Sequence, residues 1–383
     1  LTAGSGRIVF LDVVRAFAIL MMLQGHFVDT MLDPAYRDHS NWIYYSWSFM
    51  RGITAPVFFF SSGLVFTYLL TRKAKPWREN ERLYKGIGRG LQLIAIGYLL
   101  RINFLALLFK FDIYRWVAGV DVLHVIGIAL LSLIGLYILH QEFRISLPWL
   151  LGITGLLVFY LDPMVERGNY SLVPDFLSNY FVNQGYSTFT IFPWIGYTLL
   201  GGVVGNLLAR YPKVAHTWWL PVLLLGTGLL FHYQSIEALV FLYRNTGVSG
   251  FIEWRINNSH LLIRLGDVWV VMALIIWITR IWKNMPALIP KIGSETLTIY
   301  SVHYIVLWGT WFGLGINRLG SKTWDPWMSA MGALLFVISF IILIRYIDVI
   351  RNRWAAWVRE PVSLYYRFVR KKVRLLFLYE KSA

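Results

Sequence analysis

None of the 383 residues is cysteine. Disulfides, thiolate catalysis and cysteine-based zinc sites are therefore excluded. Charge is scarce too: 15% of residues are Asp, Glu, Lys or Arg, against about 25% in ordinary soluble domains. Acids are scarcer than bases, 20 against 36, which leaves a net charge of +16. That excess does not read as a nucleic-acid surface. The bases sit in short loops between apolar runs, where membrane topology puts them. No Walker-type phosphate loop, HExxH motif, internal repeat or low-complexity tract is visible. No two histidines stand at i,i+4 spacing, and no metal is expected.

What is present is apolar surface. Hydrophobic residues make up 57% of the chain, and 18 Trp and 22 Tyr suit the belts at membrane interfaces. The pattern predicts an all-α, polytopic transmembrane helical bundle of about ten spans, near 8–28, 43–70, 87–109, 117–139, 146–162, 188–209, 217–233, 266–283, 292–314 and 325–348. The 71–86 loop holds Arg72, Lys73, Lys75, Arg78, Arg82 and Lys85; Arg210, Lys213, Arg280, Lys283 and Lys291 fall on the same side. The positive-inside rule then places both termini in the cytoplasm and the loops at 29–42, 163–187 and 234–265 outside. Residues 1–348 form one bundle, and 349–383 form a basic, amphipathic cytoplasmic tail. A cleaved signal peptide is not expected, because the first apolar run is too long and contains Asp12 and Arg15.

That first run, Arg7 to Asp29, organises the chain. A charge in hydrocarbon costs at least about 2.5–3.5 kcal/mol, so Asp12 and Arg15 must face a partner or a wet cavity. Arg15 and His26 are eleven positions apart, which puts them within about 20° of one helix face and roughly 16 Å apart along the axis. Alternating helix directions sort the other polar residues by depth. An outer zone would gather His26, Arg51, Arg101, Asp121 and His124, and an inner one Asp12, Arg15, Arg89 and Glu295. Tyr300 and His303 fall around mid-depth.

The string Arg7-x-x-x-Leu11-Asp12-x-x-Arg15, with His26 after ten further residues, resembles the first helix of the membrane acyltransferase-3 superfamily. Within it, the likeness is greatest to the heparan-alpha-glucosaminide N-acetyltransferase group. Phe49-Met50-Arg51-Gly52, Pro56 to Gly63, Asp121 to Gly127, Phe192 to Tyr197 and Gly293 to His303 fit that group in order. The resemblance implies an acetyl or other short acyl group taken from cytoplasmic acyl-coenzyme A to an amino or hydroxyl group of an extracytoplasmic sugar or glycan. It implies His26 as general base or acyl carrier, with Asp12 and Arg15 as the further catalytic residues, paired to organise the helix and with Arg15 within reach of the donor. Acyl transfer suits an imidazole base and a cationic or phenolic donor for the oxyanion. Candidates for substrate or donor binding are Arg51, Lys85, Arg89, Arg101, Asp121, His124, Trp194, Glu295, Tyr300 and His303. Lys85 and Arg89 would serve the coenzyme phosphates at a cytoplasmic entrance. The expected partners are the glycan acceptor and membrane lipids, with homodimerisation left open. The expected location is a bacterial inner membrane.

Each residue also has a structural reading. Asp12 and Arg15 form an ion pair; Arg51 and Arg101 snorkel or pair; Asp121 orients His124. Trp194 packs beside a kink at Pro193. Gly88, Gly90, Gly97, Gly201, Gly202 and Gly205 mark close helix contacts. The rival function is a proton-coupled transporter or flippase of a glycan or lipid-linked precursor, since intramembrane Asp, Arg and His also build proton relays. A repeat-built transporter would show matching halves, and none is visible.

Overall fold

The computed structural model describes residues 8–73, 75–109, 114–183, 186–246 and 260–355. Arg7 and all of the expected tail beyond residue 355 lie outside the described residues. Eleven helices carry the fold among them: α1 Val9–Met31, α2 Trp42–Thr71, α3 Glu81–Arg101, α4 Val122–Phe143, α5 Leu147–Glu166, α6 Ile191–Arg210, α7 Trp219–Thr246, α8 His260–Ile281, α9 Leu288–Ser294, α10 Thr296–Trp308 and α11 Pro326–Trp354. The chain is an all-α polytopic membrane protein. Among the described residues, eight helical segments are long and apolar enough to cross a membrane.

The other two of the ten expected spans differ in build. The span placed at 87–109 is instead α3, shifted toward the N-terminus because Asn80 caps it by accepting from Arg82 N at 3.0 Å. Its 21 residues reach about 32 Å at 1.5 Å per residue. The span placed at 292–314 is broken at Glu295 into α9 and α10. The Glu295 carboxylate there takes a bidentate pair from Arg351 at 2.7 and 2.6 Å, a contact on another helix that periodicity does not register. The region expected to be a loop from 234 remains helical to Thr246 in α7, because its apolar positions continue at helical spacing.

Local capping sets several other starts. Asn41 accepts from Ile43 N at the head of α2, and Asp325 from Met328 N at the head of α11. The core runs through α1, α2, α4, α6 and α8. Helices α2 and α6 approach very closely. Gly201 and Gly205 lie against the Phe60 and Leu64 carbonyls, so any side chain there would strike backbone. Gly88 borders open space instead.

One end of the bundle gathers the basic loops. There Lys291 pairs with Asp348 at 2.6 Å, and Arg280 donates to the carbonyls of Ala215 and Thr217. The other end is closed by the segments around 102–103, 186–189 and 309–325. Isolated bridges join Leu32 to Trp324 and Asn103 to Trp311.

Candidate functional site

A cavity of 620 Å³ lies at the end remote from the basic loops. Helices α1, α3 and α10 bring their C-terminal ends to it, α4 its N-terminal end and α2 its middle, from Arg51 to Phe58. That is the arrangement alternating crossings produce. Of the residues singled out by sequence, His26, Arg51, Arg101, Asp121 and Tyr300 line it. The outer polar zone is therefore one site, with His124 directly behind its wall.

His26 is on that wall, in the last two turns of α1. Its Nδ1 lies 3.0 Å from Nε2 of His303 on α10. His303 is 0% exposed. Its ring packs on Tyr300, Tyr304 and Trp308, and Trp308 also covers the His26 ring at 5.2 Å between centroids. Arg15 lies on the same side of α1, nearer the basic end, where its Nη2 donates to Thr296 Oγ1 at 2.9 Å. One stripe of α1 thus faces α10 along its length, as the eleven-residue spacing requires.

Asp121 is the N-cap of α4. Its carboxylate accepts from Val122 N at 2.7 Å, while its own N–H donates to His124 Nδ1 at 3.0 Å. The cap is reciprocal, and it reverses the expected direction: the Asp121 backbone, not its carboxylate, orients the imidazole. Gly97 makes room for that ring on the facing helix α3. The freed carboxylate looks into the cavity, 4.0 Å from Arg101 Nη1, and the hydroxyls of Tyr300 and Tyr304 reach it. Arg101 is buried: its Nε and Nη2 donate to the carbonyls of Trp116 and Tyr186 at 2.9 and 2.7 Å, and it lies over the Trp116 ring. Arg51 pairs with Asp29 at the cavity wall, passing close over Gly25.

Asp29, Thr54, Tyr304, Trp308 and Asn317 also line the cavity and were missed from sequence. A signal existed for two of them. Tyr300, Tyr304 and Trp308 recur at i, i+4 and i+8, so one face of α10 supplies all three.

Other candidates lie elsewhere. Glu295 is held by Arg351 and Thr298 near the basic end, and Asp12 contacts Gly293 through its backbone. Arg89 donates to Gln92 on the exposed face of α3, and Lys85 sits 3.6 Å from Glu81 on the same helix. Arg89 is therefore apart from Arg15 and Glu295, and neither it nor Lys85 lines the cavity. Trp194 packs against Phe59, Phe189 and Tyr197, outside the cavity lining.

A second cluster was not anticipated. His232 Nδ1 on α7 lies 2.7 Å from Asp267 Oδ1 on α8, and Arg264 Nη1 lies 3.1 Å from Asp267 Oδ2. The Arg264 guanidinium also donates to the Phe49 carbonyl and covers the Phe49 ring on α2. The signal for it was Arg264-x-x-Asp267, an i,i+3 pair inside an apolar helix. Among the described residues, no group of three or more His, Asp or Glu side chains is placed to hold a metal ion.

Residues 7–233 match the family model for the catalytic domain of heparan-alpha-glucosaminide N-acetyltransferase. No curated protein and no solved structure matches the chain. The matched part carries His26, Arg51, Arg101, Asp121 and His124; Tyr300, His303, Tyr304 and Trp308 come from beyond it.

Proposed function

The chain belongs to the heparan-alpha-glucosaminide N-acetyltransferase catalytic family, and from that premise we propose that it transfers an acetyl group from acetyl-coenzyme A to a sugar. The acceptor group is an amino group, which the family favours, or a hydroxyl. The basic loops face the cytoplasm under the positive-inside rule, so both termini are cytoplasmic and the cavity opens on the extracytoplasmic side. The wider likeness to the acyltransferase-3 superfamily rests on the motif order around Arg15 and His26.

The observation that carries the reading is the imidazole of His26 on the wall of a cavity that two guanidinium–carboxylate pairs and several aromatic rings also line. The acceptor nitrogen or oxygen bonds to the acyl carbon while its proton passes to His26. The carbon–sulfur bond breaks, and coenzyme A leaves as the thiol once that proton returns. Positioned general-base catalysis contributes about 10²–10⁴-fold. Arg101 and the Tyr300 and Tyr304 hydroxyls, arrayed around Asp121, are donors suited to the developing oxyanion. Lys85 and Arg89 remain candidates for the coenzyme phosphates at the basic end.

A second reading rests on distance. His26 is 17 residues beyond Val9, or about 26 Å along α1. If the donor binds at the basic end, His26 carries the acyl group covalently to the acceptor.

The test uses the full chain purified in detergent. Acetyl-coenzyme A is titrated against thermal stability, which ligand binding to the native state raises by mass action. Thiol release is then followed with glucosamine as acceptor, in wild type and His26→Ala. The expected result is a thermal shift in both proteins and thiol release in wild type alone. Acetyl label trapped on wild-type protein without acceptor selects the carrier over the base. No shift up to millimolar ligand, with no thiol release, overturns the proposal.

A further inference from the structure

The His26–His303 contact has a direction. Two neutral imidazoles 3.0 Å apart share one proton between the facing nitrogens, so one ring donates and the other accepts. His303 settles which. Its Nδ1 is buried, with no well-formed hydrogen-bond partner. The carbonyls of Ile299 and Tyr300 stand one turn back on its own helix, at i−4 and i−3, on the side toward which a helical side chain leans. Carbonyls only accept, so the His303 proton belongs on Nδ1, and His303 Nε2 is the acceptor. The shared proton then belongs to His26 Nδ1, which leaves the lone pair of His26 on Nε2.

We propose that His303 is a positioning residue: by accepting from His26 Nδ1–H it fixes the tautomer in which Nε2 of His26, on the cavity wall, is the base. This rests on His26 being the base proposed above. It adds a partner from outside residues 7–233, the part of the chain that the family model matches. A ring that merely filled space at 303 would need neither a nitrogen facing His26 nor a particular proton position. The aromatic cage of Tyr300, Tyr304 and Trp308 around His303 holds the accepting nitrogen in place, since a ring flip would meet packed side chains.

The experiment has two arms. In the first, the full chain is labelled with ¹⁵N-histidine in detergent, and the ring nitrogens of His26 and His303 are assigned with His26→Gln and His303→Gln variants. Both rings are expected to show a pyrrole-type Nδ1 and a pyridine-type Nε2. A pyrrole-type Nε2 on His26 overturns the proposal. This arm needs no turnover, so it decides the tautomer even if the acetyltransferase reading fails.

In the second arm, thiol release from acetyl-coenzyme A is measured with glucosamine. His303→Gln keeps an acceptor facing Nδ1 and is expected to hold kcat within about 10-fold of wild type. His303→Leu keeps bulk without an acceptor and is expected to lose about 100-fold or more in kcat at nearly unchanged KM. His303→Met replaces it should the leucine variant fail to fold. Equal kcat in the glutamine and apolar variants overturns the positioning role. Absence of turnover in wild type instead counts against the enzyme reading, leaving the first arm to judge the tautomer.

Discussion

Among the described residues, two hydrogen-bonded contacts between helices are built on histidine, and the partners differ. His26 meets another imidazole, His303, on a cavity wall. His232 meets a carboxylate, Asp267, 5% exposed and also held by Arg264, away from the cavity. In the imidazole pair a single proton lies between the two facing nitrogens. In the other pair one carboxylate holds an imidazole and a guanidinium at once. The second cluster ties α7 and α8 to Phe49 of α2, and Gly52 is small where the Arg264 guanidinium crosses. The same residue type thus faces a cavity in one place and docks helices in the other, and the partner differs with it.

Substitutions should separate the two pairs. The largest effect is expected from His26→Ala, which should lower the transfer rate by about 10²–10⁴-fold. Thermal unfolding in detergent should stay near wild type. Asp267→Ala should do the reverse. It strands Arg264 in a part-buried setting and should cost about 3–5 kcal/mol of stability, while kcat of the folded protein stays near wild type. Reversible unfolding alongside steady-state kinetics would read both. If Asp267→Ala abolished turnover in protein that is still folded, the division between the two pairs would collapse.

A smaller loss is expected from Arg101→Lys. An ammonium cannot reproduce the fork that satisfies the Trp116 and Tyr186 carbonyls together. The cost should be about 1.5–3 kcal/mol, as for hydrogen bonds to a charged group. His232→Asn should cost less, about 0.5–1.5 kcal/mol, because Arg264 still satisfies Asp267. Arg351→Ala should be the mildest. Arg351 is half-exposed where it pairs with Glu295, and such pairs contribute about 0–1 kcal/mol. A chemical-denaturant series across these three variants would order them. Equal losses from Arg101→Lys and Arg351→Ala would show that burial does not grade the pairs.

Much of the site was legible before any fold. The outer zone of His26, Arg51, Arg101, Asp121 and His124 followed from span lengths and alternating directions, because depth in a membrane is a one-dimensional coordinate. The stripe linking Arg15 to His26 followed from helical period. The reciprocal Asp121–His124 cap was half legible: three-residue spacing placed the two together, but not which atom of Asp121 would meet the ring. The inner zone was less so. Arg89 has the right depth for Arg15 and Glu295, yet it turns to the exposed face of α3, and depth says nothing about rotation about the helix axis. Asp29 and Asn317 lie in or beside segments that read as loops, where no period points to a cavity.

Local pattern alone makes this an α-helical membrane protein and sets roughly where its helices run and which charged and polar residues lie at each depth. Hydropathy, capping and helical spacing act within a turn or across one span, so they are written locally. The family, too, is written in the first 233 residues. The partners belong to the fold: His26 with His303, 277 positions away, and Asp267 with His232 and Arg264. Those choices depend on how each helix is rotated and how closely its neighbour packs, and that is settled by side-chain contact across the whole bundle.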